Sequence, residues 1–337
     1  VALEYCDSFN TYSASQIVRR YPSASSCDIG TPGPDGSTGQ HIKAAGNTSG
    51  GFSVNVTARS EYYVGFDLRT DIVGHPPALI TFRTASGTTI CAISNDTGFT
   101  TTFGNSPTGL MAANTWYQIA IYIKRHPSAG VLTIKIDGVT VLNLTGLNTG
   151  STDIGRIDFV MGVYSFTATS KIGNLWILNT TGSHSNTWPS GRMVVKALYP
   201  SANGTYTGLT PNSGSSHYNR VSDATADDDT SYNSGLSVGD KDSYAMTDLA
   251  TSGIAHIHGM QVTAIIRKDD INSKNFQLFT KSGSTEAFST DIAAGLLWAS
   301  TTRDGTPQLL QTDDPNTGNE WAVTDVNALE AGVKITL

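Results

Sequence analysis

Several things are scarce in this 337-residue chain. Cysteine occurs three times, at Cys6, Cys27 and Cys91, an odd and small number that excludes a disulfide-built scaffold. A Cys6–Cys27 bridge is left open, with the parity of the count against it. Charged residues are 15% of the chain, where about 25% is usual for a soluble domain. The 21 basic residues are outnumbered by 28 acidic ones, a net charge of −7 that argues against a nucleic-acid partner, which needs clustered positive charge. No apolar run approaches the roughly 20 residues that span a bilayer, so no membrane helix is expected. Glutamate is scarce among the acids: Glu4, Glu61, Glu286, Glu320 and Glu330 are all there are. The opening Val1–Cys6 has neither the basic start nor the apolar core of a secretory signal, so synthesis in the cytoplasm is the expectation.

What the chain has in abundance is serine, threonine and glycine. There are 35 Ser and 44 Thr, with 34 Gly, the composition of short strands joined by polar turns. The six Asn-x-Ser/Thr sequons, at Asn47, Asn55, Asn95, Asn143, Asn179 and Asn203, are no more than that composition produces by chance. Apolar residues alternate with others in 62–69 and in 117–123, the period of a half-buried strand, and Trp116 is read as the start of a core strand. Residues 131–144 read as a hairpin, because Asp137-Gly138 supplies the positive φ angles of a tight turn. Further strands are expected at 78–84, 88–94, 154–162 and 171–179, and Tyr5 and Phe9 open an N-terminal one. In these patterns Asp67 and Asp158 alternate with apolar residues and are expected to face solvent.

A Ser/Thr/Gly-rich stretch at 181–192 reads as a linker between a domain at 1–180 and a second at 193–337. The second block carries strand patterns at 254–266, 275–280, 285–290, 294–300, 307–312 and 332–337. One short helix, 324–332, is expected to start at Thr324 or Asp325 and stop at Gly332. No solenoid or propeller repeat is present. The fold class is all-β: two consecutive antiparallel β-sandwich, or jelly-roll, domains.

The segment Asn114-Thr115-Trp116-Tyr117-Gln118-Ile119-Ala120 leads to Gly130-Val131-Leu132-Thr133-Ile134-Lys135-Ile136-Asp137-Gly138. Later come Ile172-Gly173-Asn174-Leu175-Trp176-Ile177. In this order they resemble the laminin-G/concanavalin-A-like jelly-roll superfamily, with residues 172–177 as its closing strand. That fold hosts lectins, glycanases, lyases and structural modules, so the resemblance implies a fold and no single activity. Its glucanases carry Glu-x-Asp-x-x-Glu on one strand, and neither Glu4 nor Glu61 sits in such a motif. Glycoside hydrolysis needs two facing carboxylates, so no enzyme activity and no catalytic residue are expected. Glycan binding fits better, with Tyr63, Tyr122 and Trp188 as candidate contacts. Asn95, Asp96 and Asp153 are isolated oxygen ligands, short of a calcium loop.

The second block holds an acid-rich stretch. Asp227, Asp229, Asp240 and Asp242 are the candidates for a calcium site, against a solvated loop whose Asp side chains bond nearby amides. No other cofactor is suggested. His256 and His258 would share one face of a strand without an evident third metal ligand, and Arg267-Lys268-Asp269-Asp270 reads as a self-neutralising turn. No Gly-x-Ser-x-Gly elbow occurs, so Ser243, Asp242 and His256 make no hydrolase triad. Residues 227–232, 239–244, 261–264, 267–270, 314–318, Trp321 and 326–333 resemble, in this order, a domain of tailed-phage structural proteins. The resemblance implies a non-enzymatic part of a virion exterior: capsid decoration, head fibre or tail adhesin. Its expected partners are copies of itself in a trimer or lattice, other virion proteins, and host-surface glycans. The alternative is an extracellular, secreted carbohydrate-binding protein; a glycan-cleaving enzyme stands behind both.

Overall fold

The computed structural model describes the chain apart from residues 1–2, 35–38, 46–47, 73–78, 96–97, 166–167, 183, 185–187, 190, 269–272 and 294–307. The chain divides into two compact units, Val1–Lys196 and Ala197–Leu337.

The first unit runs through β1 (Leu3–Asp7), a short helix α1 (Ile17–Arg20), β2 (Cys27–Gly30), β3 (His41–Ala44), β4 (Gly50–Arg59), β5 (Glu61–Thr70) and β6 (Leu79–Arg83). It continues with β7 (Thr89–Asn95), β8 (Phe99–Thr101), β9 (Tyr117–Lys124), β10 (Gly130–Ile136), β11 (Val139–Leu147), β12 (Ile154–Met161), β13 (Val163–Ser165) and β14 (Ala168–Asn179). Among the described residues these form two antiparallel sheets. One follows the order β11-β10-β9-β5-β14-β3-β2, with β1 and β13 also on β14; the other is β4-β12-β6-β7-β8.

Period-two alternation creates the core between them. Tyr62, Val64, Phe66 and Leu68 of β5, Ile119, Ile121 and Ile123 of β9, and Leu132 and Ile134 of β10 meet Phe52, Phe82, Ile157 and Phe159 of the facing sheet in one cluster. Phe66 and Phe159 join the layers edge-to-face at 6.0 Å. Asp137 and Gly138, at φ 46° and 83°, turn the β10–β11 hairpin as the Asp-Gly pair requires.

The amino terminus is locked down by a polar knot. Buried Asp7 accepts hydrogen bonds from the hydroxyls of Tyr12 (2.9 Å) and Tyr21 (2.8 Å) and from the Phe9 N–H (2.7 Å), with Arg20 Nε at 3.7 Å. Phe9 adopts φ 62° and closes β1 instead of extending it. The Cys6–Cys27 bridge is absent: Cys6, Cys27 and Cys91 are free thiols. Cys6 pairs across β14 with Trp176, while Cys27 faces Ala44 on β3 and its thiol donates to Ser25 O and Gly51 O.

The second unit comprises β15 (Pro200–Thr207), β16 (Thr210–Pro211), β17 (Asn233–Ser234), β18 (Lys241–Met246), β19 (Met260–Thr263) and β20 (Asn275–Ser282). It ends with β21 (Thr285–Phe288), β22 (Ile292–Ala293), β23 (Gln308–Gln311), α2 (Val323–Asn327) and β24 (Glu330–Ile335). A sheet of order β15-β18-β24-β20-β21, with β22 on β20, is accompanied by the antiparallel pairs β16-β17 and β19-β23. Phe276 and Leu278 pack with Leu309 and Val262, which lays the β19-β23 pair on the larger sheet in a sandwich-like arrangement.

Three sequence expectations shift here. The 254–266 strand is confined to Met260–Thr263. The helix begins after Ala322, whose N–H donates to the Asp325 carboxylate at 3.3 Å. Gly332 is no helix stop; it lies within β24, where a Cβ would come within 2.1 Å of Asp242 O. The strand expected at 294–300 falls outside the described residues.

Candidate functional site

The face of β5, β9, β10 and β14 that points away from the core carries the candidate site. Alternation sends Tyr63, Gly65 and Asp67 of β5, Gln118, Ala120 and Tyr122 of β9, and Lys135 of β10 to this side. The ladder sets Tyr63 opposite Tyr122, Gly65 opposite Ala120 and Asp67 opposite Gln118. On the other edge of β5, Trp176 pairs with Gly65. The indole lies across that glycine so closely that a Cβ at 65 would be 2.0 Å from Trp176 Cζ2. A glycine inside a strand often marks such a close approach.

Residues after β14 then cover part of this face. The ring of Trp188 meets Tyr63 at 5.4 Å and Tyr122 at 6.2 Å, both edge-on, while Tyr63 and Tyr122 stack at 4.7 Å. Lys135 Nζ sits 4.1 Å from the Trp188 ring centre, a cation–π contact. The Gln118 amide holds the Met193 backbone from both sides, donating to its carbonyl at 2.6 Å and accepting from its N–H at 3.1 Å. Arg192 donates to Asp67 Oδ2 at 2.9 Å, and Asn174 donates to the same oxygen at 2.6 Å. Between the sheet face and this covering segment opens a cleft of about 450 Å³, lined by Trp116, Gln118, Lys135, Asp137, Trp176, Trp188 and Arg192.

All three aromatic residues predicted as glycan contacts therefore meet at one place. The prediction for Asp67 is corrected. Asp67 does point away from the core, yet it is completely buried, with Asn174 and Arg192 bonded over it. Burial raises its pKa, against the hydrogen bonds from Asn174 and Arg192. Its Oδ1 and Trp176 Nε1 have no hydrogen-bond partner among the described residues. Asp158 is likewise no solvent-facing acid. The guanidinium groups of Arg83 and Arg156 both donate to it at 2.5 Å and cover it. Burial pushes its pKa up, but these bonds outweigh that and hold it below the usual carboxylate range.

Trp116, expected at the start of a core strand, instead precedes β9 and lines the cleft, with its ring 5.7 Å from buried His41. Burial, reinforced by the charge of Lys171, lowers the His41 pKa to about 4. Asp137, Lys135, Gln118 and Arg192 were not foreseen as site residues. Only Gly65, interrupting an otherwise bulky strand, hinted in the sequence that something lies against this face.

Elsewhere the predicted ligands stay apart. Asp227 accepts from Ser231 Oγ at 2.9 Å, Asp229 pairs with Arg267 at 2.9 Å, and Asp240 accepts from the Leu236 and Ser237 N–H groups at 3.1 and 2.9 Å. Asp242, fully buried, accepts from Leu209 N (2.9 Å) and Tyr244 OH (3.0 Å) and lies 2.8 Å from His217 Nδ1. Arg267 thus answers Asp229, where a self-neutralising turn was expected; Asp269 and Asp270 lie outside the described residues. His256 and His258 fall before β19, their rings 6.2 Å apart, with His256 Nδ1 3.3 Å from Glu320. Asn95 is buried at the end of β7, Asp153 is exposed before β12, and Asp96 lies outside the described residues. Among the described residues no group of three or more His, Cys, Asp or Glu is placed to hold a metal ion. No helix among them is long and apolar enough to cross a membrane.

No protein-family model matches the chain, and no curated protein does. Solved structures share parts of its fold. A sialidase superposes with a TM-score of 0.40 at 15% identity, covering 55% of this chain and 19% of its own length. The carbohydrate esterase of the Shiga toxin-encoding bacteriophage phi24B gives 0.36 at 13% identity, over 52% of this chain and 99% of that one. A tetrameric galectin from the ball sponge Cinachyrella sp. gives 0.32 at 8% identity, over 38% and 99%. The β-sandwich character of the first unit rests on its own two sheets and their shared core.

Proposed function

We propose that the first unit is a non-catalytic carbohydrate-binding sandwich, and that the cleft beside Trp188 receives the sugar. The observation that carries this reading is a cleft lined by Trp116, Trp176 and Trp188 and fringed by Lys135, Gln118, Asp137 and Arg192, with Tyr63 and Tyr122 packed against the Trp188 ring. A pyranose ring has an apolar C–H face and a rim of hydroxyls. Aromatic rings suit the first, and a few fixed polar groups suit the second. The two glutamates of this unit support binding without cleavage. Glu4 is engaged by Asn179 and Thr57, and Glu61 by Tyr122 and Lys124, so neither stands free opposite a second carboxylate.

A glycan array tests this. Wild-type chain is expected to retain a defined set of glycans, and Trp188→Ala to lose them while its circular dichroism is unchanged. An array with no specific hits, or hits that survive Trp188→Ala, would overturn the reading.

We further place this binding on a virion exterior, as a decoration or adhesin present in several copies. The support is the ordered resemblance of residues 198–337 to tailed-phage structural domains. Immunogold labelling of particles is expected to decorate heads or tails; unlabelled particles with free antigen in the medium would favour a secreted lectin.

A further inference from the structure

A second cleft, of about 480 Å³, opens away from the aromatic face, at the end of the first sandwich. It is lined by the β6–β7 turn (Thr84, Thr88), by Ile90 and Phe103, and by residues 148–152 between β11 and β12, with Arg125 from the end of β9. Arg125 is only 8% exposed. Its Nε donates to Thr152 O at 2.8 Å, which fixes the plane of the guanidinium. Neither terminal nitrogen has a hydrogen-bond partner among the described residues, and no carboxylate pairs with it. Asp153, exposed, acts on it only through space, and burial lowers its pKa. Gly150 permits this placement: it adopts φ +79°, and a Cβ there would approach Arg125 Nη2 to 2.8 Å.

An arginine buried over most of its length is normally paired, because losing hydration without a counter-charge is costly. The terminal nitrogens of Arg125 are not among the fully buried unpartnered atoms, so they remain open to the cleft. Here the fork is held at its Nε, is left unpaired at its two ends, and borders a cleft with exposed hydroxyls on Thr88, Ser151 and Thr152. We infer that Arg125 is the anchor of a second binding site, which takes the carboxylate of an acidic sugar. The two terminal N–H groups match the two oxygens of one carboxylate. Arg125 is the one cationic residue of the lining among the described residues, which suits a single negative charge and not a polyanion. Ile90 and Phe103 offer apolar surface to the ring, and the hydroxyls offer bonds to its substituents. This site stands apart from the Trp188 cleft and does not depend on it.

The test is titration of the full chain, at low ionic strength, with a glucuronic acid–N-acetylglucosamine disaccharide, with 3′-sialyllactose, and with neutral lactose, followed by amide NMR. At least one acidic sugar is expected to bind about tenfold or more tightly than lactose, the usual advantage of charge-assisted hydrogen bonds. The shifts should centre on Thr88, Gly150 and Ser151, while the Trp188 indole reports the aromatic cleft separately. The two acidic probes separate a uronate from a sialyl source. Arg125→Gln should abolish the preference and Arg125→Lys should recover part of it. Should Arg125→Gln not fold, Ser151→Asp places a negative charge on the exposed rim and should abolish the preference in a folded chain. Equal affinity for acidic and neutral sugars, no acidic sugar bound, or a preference that survives in Ser151→Asp, would overturn the inference.

Discussion

At the scale of single residues, the first unit depends on buried polar groups that have one environment each. Asp7 gathers the hydroxyls of Tyr5, Tyr12 and Tyr21 and a backbone N–H, beside Arg20. Asp7→Ala leaves those donors and a buried guanidinium uncompensated. We expect a loss of about 3–5 kcal/mol, read as a fall in the denaturant midpoint at unchanged slope. His41 acts differently. Its pKa falls from 6.5 in the unfolded chain to about 4 in the fold. Between these values the unfolded chain takes up a proton that the folded chain refuses, so stability is lost as pH falls through this window. The full effect is up to about 3 kcal/mol. Relative to wild type, His41→Gln should flatten the decline of Tm from pH 6.5 to 4; a parallel decline in both would show that His41 is not its source.

At the scale of elements, the question is what covers the outer face of β5, β9 and β10. Gly65 gives Trp176 its seat, and Trp176 in turn lines the cleft together with Arg192 and Trp188. Gly65→Ala should displace the indole at a cost of about 1–3 kcal/mol and weaken glycan retention with it. Stability lowered without any change in retention would show that the Trp176 seat does not shape the sugar site.

The same face explains what could be read from the sequence. Strands β5, β9, β10 and β11 declare themselves, because their inward residues are Ile, Leu, Val and Phe and the turn between the last two is Asp-Gly. The sequence also names Tyr63, Tyr122 and Trp188 as aromatic residues outside the core period. Alternation tells which side a residue leaves the strand, not what meets it there. Asp67 therefore reads as solvent-facing although distant chain buries it. Pro200–Thr207 escapes notice for another reason: its Ser, Asn, Gly and Thr give little hydrophobic period, and it is a strand because its neighbour supplies the ladder. In Gly50–Arg59 only Phe52, Val54 and Val56 alternate, behind a Gly pair. The Asp residues of 227–242 look like a cluster in one dimension, yet each meets a different partner in three.

At the scale of the whole molecule, the first unit carries two clefts with unlike linings, and in the second Asp242 is held by Leu209, Tyr244 and His217. With the sugar assigned to the Trp188 cleft, binding should report from the first unit. The chain's five tryptophans make this directly visible, since each gives one indole N–H signal. Titrating a glycan retained on the array into the labelled full chain should move the Trp188 and Trp116 signals together and leave Trp321, buried in the second unit, in place. A retained glycan that leaves Trp188 and Trp116 unmoved would contradict the assignment of the sugar to this cleft.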